Sequence, residues 1–281
     1  MNKYSVLMSV YTKDNSGFFV SAVESMIHQT VIPDEIVLVE DGPLTEELLN
    51  AVDTLVQQNP GLFHILINVR NLGLGPSLNR GVLACRNELI ARMDSDDLSV
   101  STRIEKQLKA FEEEPDLSIC GGAIAEFSEN PNVITGYRQC PSTNEQLRDY
   151  IRKRCPFNHM SVMYKRSKVL EAGNYQDYLF NEDYLLWIRM MEHGMKMRNL
   201  PEVLVQVRAG DEMFSRRGGN AYYESEKGIQ KTMLHDGLID QHTYYLNMIK
   251  RFLAEKACPN GLRKWLFKLF ARSRTLEESH D

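Results

Sequence analysis

The first third of the chain alternates short apolar runs with amphipathic stretches. Tyr4 to Val10 is apolar and β-prone, which predicts a strand buried on both faces. After a polar loop at Thr12 to Gly17, Phe19, Val20, Val23, Met26 and Ile27 recur at helical spacing, and Pro33 closes that element. Glu35 to Val39 predicts a second buried strand, stopping at Glu40-Asp41-Gly42. Leu48, Leu49, Val52, Leu55 and Val56 mark a second amphipathic helix, ended by Asn59-Pro60-Gly61. Leu62 to Ile67 reads as a third strand and Asn71 to Pro76 as a turn-rich loop. A helix is expected from about Ser77 to Cys85. Glu88 to Met93 predicts a fourth strand that runs straight into Asp94-Ser95-Asp96-Asp97.

Strands alternating with helices at this spacing imply βαβ units and an α/β fold with a mostly parallel central sheet flanked by helices. In such sheets ligands sit beyond the carboxyl ends of the strands. Tyr11-Thr12, Glu40-Asp41 and Asp94 to Asp97 all fall at those ends, so one shared site is expected. After about residue 115 the apolar runs shorten. Ile119 to Phe127 and Ser161 to Tyr164 remain candidate strands, and Tyr184 to Met191 a helix. The expected organisation is one unit over residues 1–210, with a nucleotide-binding half at 1–114 and an acceptor-binding half at 115–210. Residues 211–281 would form a C-terminal loop and helical extension.

Bulk properties narrow the class. The 281 residues carry 43% apolar and 25% charged side chains, ordinary values for a globular chain. A net charge of -5 speaks against a nucleic-acid partner. Cys85, Cys120, Cys140, Cys155 and Cys258 are scattered without a C-x-x-C pair, as expected of reduced cytosolic thiols. Neither a signal-peptide pattern nor a run of ~18 apolar residues is present, so a cytoplasmic location is expected.

The candidate chemistry begins at Asp94, Asp96 and Asp97. Three carboxylates this close repel one another, and a cation resolves that repulsion. Hard oxygen ligands select Mg²⁺ or Mn²⁺, and such an ion suits the two phosphates of a nucleotide. The other reading is a solvated acidic turn before a helix near Ser101. Glu40-Asp41-Gly42 offers a carboxylate to a nucleobase or ribose, or is a plain turn. Asn71 to Gly75 is not a dinucleotide fingerprint, because Leu78 fills the third glycine position. Asp183, in Asn181-Glu182-Asp183, reads as a general base or as a helix cap. Trp187 shares its helix face, either stacking on a sugar or in the core. His159 of Pro156-Phe157-Asn158-His159 is catalytic or structural. Arg216-Arg217-Gly218-Gly219 is a phosphate-binding closing loop or a surface loop.

Together these residues resemble the family-2 glycosyltransferases, inverting enzymes of the GT-A fold. The likeness runs through Ser9-Val10-Tyr11, Ser25-Met26-Ile27-His28-Gln29-Thr30, Val39-Glu40-Asp41-Gly42, Asn71-x-Gly73-Leu74, Asn79-x-Gly81 and Ala91 to Asp97, then Arg103, Gln107, Glu182-Asp183 and Trp187. Thr12, Glu40 and Pro43 depart from the family pattern. The resemblance implies that Val10, Tyr11 and Asp41 hold a nucleobase, with uracil expected. Asn71, Gly73, Asn79, Arg92 and Ser95 would line the nucleotide pocket. Asp94 would contact ribose or metal, Asp96 would ligate the metal directly and Asp97 would support it. Asp183 would be the base, with Glu182 as reserve. Asn158, His159 and Trp187 would meet the acceptor, and Arg216 and Arg217 the donor phosphates. The implied reaction moves a hexose from a UDP-sugar to a saccharide hydroxyl, as in O-antigen or capsule synthesis, on a polyprenyl-diphosphate-linked acceptor.

Leu262, Trp265, Leu266, Leu269 and Phe270 form a helical stripe ringed by Arg263, Lys264, Lys268, Arg272 and Arg274. Residues 261–274 therefore read as a peripheral membrane contact or as a helix packed on protein. Two rival functions stand beside the main one. A sugar-1-phosphate nucleotidyltransferase would carry a glycine-rich basic loop, which Val10 to Gly17 does not resemble. A sugar-nucleotide-binding scaffold without turnover is opposed by the intact Asp94, Asp96 and Asp183.

Overall fold

The computed structural model describes residues 3–209 and 219–253. Strands β1 (Tyr4–Val10), β2 (Glu35–Glu40), β3 (Phe63–Ile67) and β4 (Leu89–Arg92) pair in parallel, β1 lying between β2 and β4. Their crossovers are helices α1 (Ser16–Ile27), α2 (Glu46–Gln58) and α3 (Leu74–Ala84). Asn15 and Thr45 cap α1 and α2 through side-chain oxygens that accept the N–H of Phe18 and of Leu48. Helix α3 starts three residues before its expected position. Pro76 falls in its first turn, where an absent N–H forfeits no helical bond.

The second half is built of β5 (Leu98–Ser99), α4 (Arg103–Glu113), β6 (Leu117–Phe127), β7 (Ile134–Arg138), α5 (Asn144–Tyr150), β8 (Met163–Lys165), α6 (Arg166–Glu171), α7 (Glu182–Glu192) and β9 (Lys196–Arg208). Helices α8 (Asn220–His235) and α9 (Gln241–Arg251) follow. Among the described residues, nine strands form one sheet in the order β3-β2-β1-β4-β8-β6-β9-β5, with β7 on β6. The sheet is parallel across its first four strands. It becomes mixed where β8 runs antiparallel to β4 and β6 while β9 runs parallel to β6. One apolar layer packs below the sheet on α1, α2 and α4, and another packs above it on α3 and α7.

Polar residues of the expected motifs do structural work here. Gln29 Nε2 donates to the carbonyls of Ser25 and Val100, and its Oε1 accepts the N–H of Ile104. Ser25 Oγ accepts the N–H of Ser99 at 3.0 Å. The Ser25-to-Thr30 motif thus anchors α1 to the segment that leaves the acidic loop. Arg103 and Gln107 are fully buried. Arg103 Nη2 donates to the carbonyls of Arg92 and Val162, and Gln107 Nε2 to those of Cys120 and Ser161. They stitch β4 and β6 to the strand entry before β8, satisfying carbonyls that water does not reach.

Helices α8 and α9 dock through Ile229, Met233 and Met248 and through polar contacts. Glu226 pairs with Arg251, and Asn247 Nδ2 donates to Gln230 Oε1 and to the Arg152 carbonyl. No described helix is long and apolar enough to cross a membrane.

Gly75, near the start of α3, packs tightly against the segment that leads into α7. A Cβ there would lie 2.2 Å from the Gln176 carbonyl oxygen and 3.2 Å from Glu182 Cβ. Backbone would have to move, so Gly75→Ala is expected to lower the unfolding free energy by about 1–3 kcal/mol. The urea midpoint at constant m-value reads this; an unchanged midpoint would mean that the contact yields freely.

Candidate active site

Because β1, β2 and β4 are parallel, Tyr11, Asp41 and the Asp94-to-Asp97 loop emerge on one edge of the sheet. That loop is held from two sides. Ser95 Oγ donates to Asp14 Oδ2 at 2.9 Å, and the same oxygen accepts the Tyr11 N–H at 3.1 Å. On the other side β5 pairs with the end of β9, and Asp97 Oδ1 accepts the Arg208 N–H at 2.9 Å. The Arg208 guanidinium lies 3.7 Å over the Phe18 ring and 4.8 Å from that of Phe127. Asp14 and Arg208 were not singled out in the sequence. Asp14 sits in the loop after β1, where the strand-end rule applies to it as it does to Tyr11. Arg208 closes a strand that no clean apolar run announces.

The expected three-carboxylate metal set is not assembled. Among the described residues, no group of three His, Cys, Asp or Glu side chains is placed to hold an ion. Asp97 is buried and turned toward Arg208. Burial first, then the charges of Asp94 and Asp96, push its carboxyl well above the usual range. Asp94 is ion-paired with Arg92. What remains fits an octahedral cation of the Mg²⁺ or Mn²⁺ kind, which takes one or two carboxylates and completes its shell with phosphate and water. Asp96 and Asp94 are the half-exposed carboxylates of that loop.

Arg92 is the centre of the arrangement. It is 1% exposed, and its Nε has no hydrogen-bond partner. Burial alone would lower its pKa, but Asp94, Tyr175 and Tyr164 more than offset that and raise it. It therefore holds Asp94 from below and does not line an open pocket. Its field reaches His159, which burial and Arg92 hold well below the usual histidine value and so keep neutral. The His159 ring contacts Tyr175, with Nε2 3.5 Å from the phenol oxygen.

The same cation faces the first turn of α7. Burial, then the neighbouring Asp183 charge, raise Glu182 to about 8, with Arg92 pulling the other way. Asp183 is also raised by burial. The Tyr184 N–H, at 2.6 Å from Oδ1, then Arg138 and Arg92, and the Cys155 thiol 3.7 Å from Oδ2, limit that rise. Near neutrality Glu182 is thus largely protonated, while the Tyr184 N–H, Arg138 and Arg92 favour the anion of Asp183. Asn181, not Asp183, occupies the cap position.

Several expected contacts are corrected. Trp187 is fully buried, edge-on to Phe157 and Tyr175 and beside Tyr164, so it stacks on no sugar. Asn158, 1% exposed, donates to the carbonyls of Gly122 and Arg138 and is a core staple. Asn79 donates to the Tyr175 carbonyl at 2.7 Å, tethering α3 to the acceptor half. Asp41 is 4% exposed. Its oxygens accept Asn68 Nδ2 and the N–H groups of Leu72 and Gly73, fixing the Asn71-to-Gly73 loop, while Asn71 Nδ2 donates to the Asp41 carbonyl. Val10 is buried in β1, leaving Tyr11 at the strand end. Arg216, Arg217 and residues 261–274 lie outside the described residues.

Comparison with known proteins agrees with this geometry. The model of glycosyl transferase family 2 matches residues 5–173. The amylovoran biosynthesis glycosyltransferase AmsE of Erwinia amylovora is 39% identical over 246 residues, covering 86% of this chain and 91% of that protein. The UDP-Gal:alpha-D-GlcNAc-diphosphoundecaprenol beta-1,3-galactosyltransferase of Escherichia coli is 32% identical over 276 residues, covering 96% and 97%. The mannosyltransferase PcManGT of Pyrobaculum calidifontis, solved with GDP-Man and Mn²⁺, superposes with a TM-score of 0.64 at 15% identity over 96% of this chain and 76% of that one. The fold is GT-A.

Glu182 supplies a pH test. Its pKa is raised from the model-peptide value of 4.5 to about 8, so the native state holds a proton that the unfolded chain releases. Its stabilising contribution is full below 4.5 and is lost as pH rises through 8. Relative to wild type, Glu182→Gln should gain melting temperature steadily across that window and hold level on either side. A difference that does not change with pH would place the Glu182 proton elsewhere.

Proposed function

The chain belongs to glycosyl transferase family 2, and on that premise we propose that it moves a hexose from a UDP-sugar to a hydroxyl of a polyprenyl-diphosphate-linked saccharide during cell-surface polysaccharide synthesis. The observation that carries this reading is the pairing of two carboxylate groups around one buried cation. Asp94 and its loop stand on the nucleotide side of Arg92, and Glu182-Asp183 on the other. The names of the relatives support the class of donor and acceptor: one takes UDP-Gal and acts on a diphosphoundecaprenol-linked sugar, and another serves amylovoran synthesis.

The roles divide accordingly. Tyr11, at the end of β1, and the loop that Asp41 fixes receive the uracil and ribose, with Asn71 and Gly73 presenting the loop edge. Asp94, held by Arg92, and Ser95 border the diphosphate. Mn²⁺ or Mg²⁺, bound by Asp96 and Asp94, would supply Lewis-acid stabilisation of the departing diphosphate. Arg216 and Arg217, outside the described residues, are proposed from the sequence alone as further positive charge for the donor phosphates. Asp183 takes the proton from the acceptor hydroxyl as its oxygen attacks the anomeric carbon. The bond to the UDP oxygen breaks on the opposite face, so the centre inverts in one displacement. Protonated Glu182 cannot compete for that proton, and it donates a hydrogen bond next to the incoming hydroxyl. Residues 261–274 hold the enzyme on the inner face of the membrane, where such an acceptor resides.

Two measurements test the assignment. UDP with Mn²⁺ should raise the melting temperature, by ligand linkage. The shift should vanish with EDTA and in Asp96→Ala. Asp183→Asn should keep the UDP shift while turnover of a UDP-hexose drops by about two to four orders of magnitude, the usual worth of a general base. A turnover equal to wild type in Asp183→Asn would remove the base from this position. Absence of any UDP shift at millimolar concentration would overturn the UDP-sugar reading, whereas a UDP shift with no turnover would favour the sugar-nucleotide-binding scaffold.

A further inference from the structure

Helix α9 carries apolar residues on two faces. Its inner face sets Tyr244 and Met248 against the domain beside Asn247 and Arg251, which bond to the Arg152 and Lys153 carbonyls and to Gln230 and Glu226. Its outer face and the turn beyond carry Tyr245, Leu246, Ile249, Phe252 and Leu253, at 64%, 43%, 57%, 45% and 58% exposure. Large apolar side chains elsewhere on the surface are mostly scattered, whereas these five fall at i, i+1, i+4, i+7 and i+8, one helical stripe.

Two further observations say what meets that stripe. Exposed Lys250 stands next to Ile249 on the helix, and exposed Arg152 and Lys153 lie in the turn whose carbonyls α9 bonds, Arg152 being 3.8 Å from Asp149. Apolar residues in the middle with lysine and arginine at the margin are the pattern that lies in an anionic lipid interface. The stripe also connects to the catalytic centre. The Phe252 ring touches that of Tyr223, 6.1 Å between centroids. The adjacent Tyr222 touches Phe180 at 5.7 Å, and Phe180 precedes Glu182-Asp183 by two residues. Phe180 has φ 70, a backbone region that a phenylalanine adopts only when its surroundings hold it there.

We propose that the outer face of α9 docks on an anionic bilayer, and that the path from Phe252 through Tyr223, Tyr222 and Phe180 leads a lipid-linked acceptor from the membrane to Asp183. The proposal rests on the lipid-linked acceptor of the preceding reading and adds a surface to it. It places the membrane contact on a folded helix of the domain, in addition to residues 261–274. With Tyr245, Leu246 and Ile249 in the acyl boundary, the Asp183 side of the molecule faces the headgroups, where the diphosphate of the acceptor lies.

The test is flotation of the full-length chain with vesicles of phosphatidylcholine and phosphatidylglycerol in a three-to-one mixture, beside pure phosphatidylcholine vesicles. Wild type should float with the anionic vesicles, and less so at high salt. The Leu246→Glu/Ile249→Glu double variant should lose about tenfold or more of that binding, because two apolar contacts become two repelled charges. Its melting temperature and its UDP and Mn²⁺ shift should stay at the wild-type values. Equal flotation of variant and wild type would overturn the proposal. So would a variant that melts several degrees lower, which would mean that residues 254–281 cover the stripe. A wild-type dimer that the variant converts to monomer would overturn it in favour of a second copy. Loss of the UDP shift in wild type itself would sink the glycosyltransferase reading and leave the flotation result standing, so the two failures are distinguishable.

Discussion

A guanidinium buried at the end of β4 is the constraint on which the site depends. A charge taken out of water must find compensation nearby, or its cost runs to several kcal/mol. Arg92 finds one direct partner, Asp94, and phenol and imidazole groups for the rest of its surroundings. With Nε left without a hydrogen bond, the compensation is electrostatic more than it is local. This explains why acidic groups from distant parts of the chain gather around it. Asp94 follows it directly, while Glu182 and Asp183 come from a helix some ninety residues later. Burial raises the carboxyls of both Glu182 and Asp183, and Arg92 limits that rise. The cation that organises the folded site therefore also favours the anionic form of the groups that would act on substrate.

The sheet makes the meeting possible. A purely parallel sheet would bring only β1, β2 and β4 to one edge. The switch to β8, β6 and β9 curls the second half round so that α7 opens beside α3. β9 runs parallel to β6 and ends at Arg208, delivering a backbone N–H to Asp97 and a guanidinium to Phe18. The acidic loop is consequently pinned by the first strand through Asp14 and by the last through Arg208. Rigidity on both sides leaves Asp96 at the apex between two fixed ends, which suits a ligand that must meet a metal and a diphosphate in one geometry.

Much of this was legible in the sequence, for identifiable reasons. Strands of the first half are continuous apolar runs bounded by turn residues, so β1 is read to its last residue and β2 to within one. The strand-end rule then places Tyr11, Asp41 and the acidic loop together without a structure. β7 and β9 escaped because their sequences, such as Lys196 to Arg208 with its Arg, Asn, Pro and Glu, show neither apolar continuity nor alternation. β9 is stabilised by position, between β6 and β5, not by composition. Individual roles escaped for a related reason. Asn158, Trp187 and Asp97 are residue types that bind ligands as readily as they fill cores, and only tertiary burial decides between the two. For Trp187 the deciding fact is an aromatic cluster drawn from Phe157, Tyr164 and Tyr175, three separate elements that no local pattern joins.

The C-terminal helices show the same logic in reverse. A helix that packs on a domain ordinarily turns its apolar face inward, because burying that face is the main source of its stability. Helix α9 turns Met248 and Tyr244 inward but shares that face with Asn247 and Arg251, whose hydrogen bonds and ion pair satisfy carbonyls at Arg152 and Lys153 and the carboxylate of Glu226. Polar anchoring of this kind contributes less per contact than apolar burial of equal area, since each bond replaces one with water. The domain thus accepts a weaker seat for α9 while leaving Tyr245, Leu246 and Ile249 uncovered. Packing within the chain does not require that orientation. The proposed bilayer contact accounts for it, and the aromatic contacts from Phe252 to Phe180 connect that stripe to the helix turn that carries Asp183. On that reading attachment and the proposed base lie on linked elements, as an acceptor confined to a surface would require.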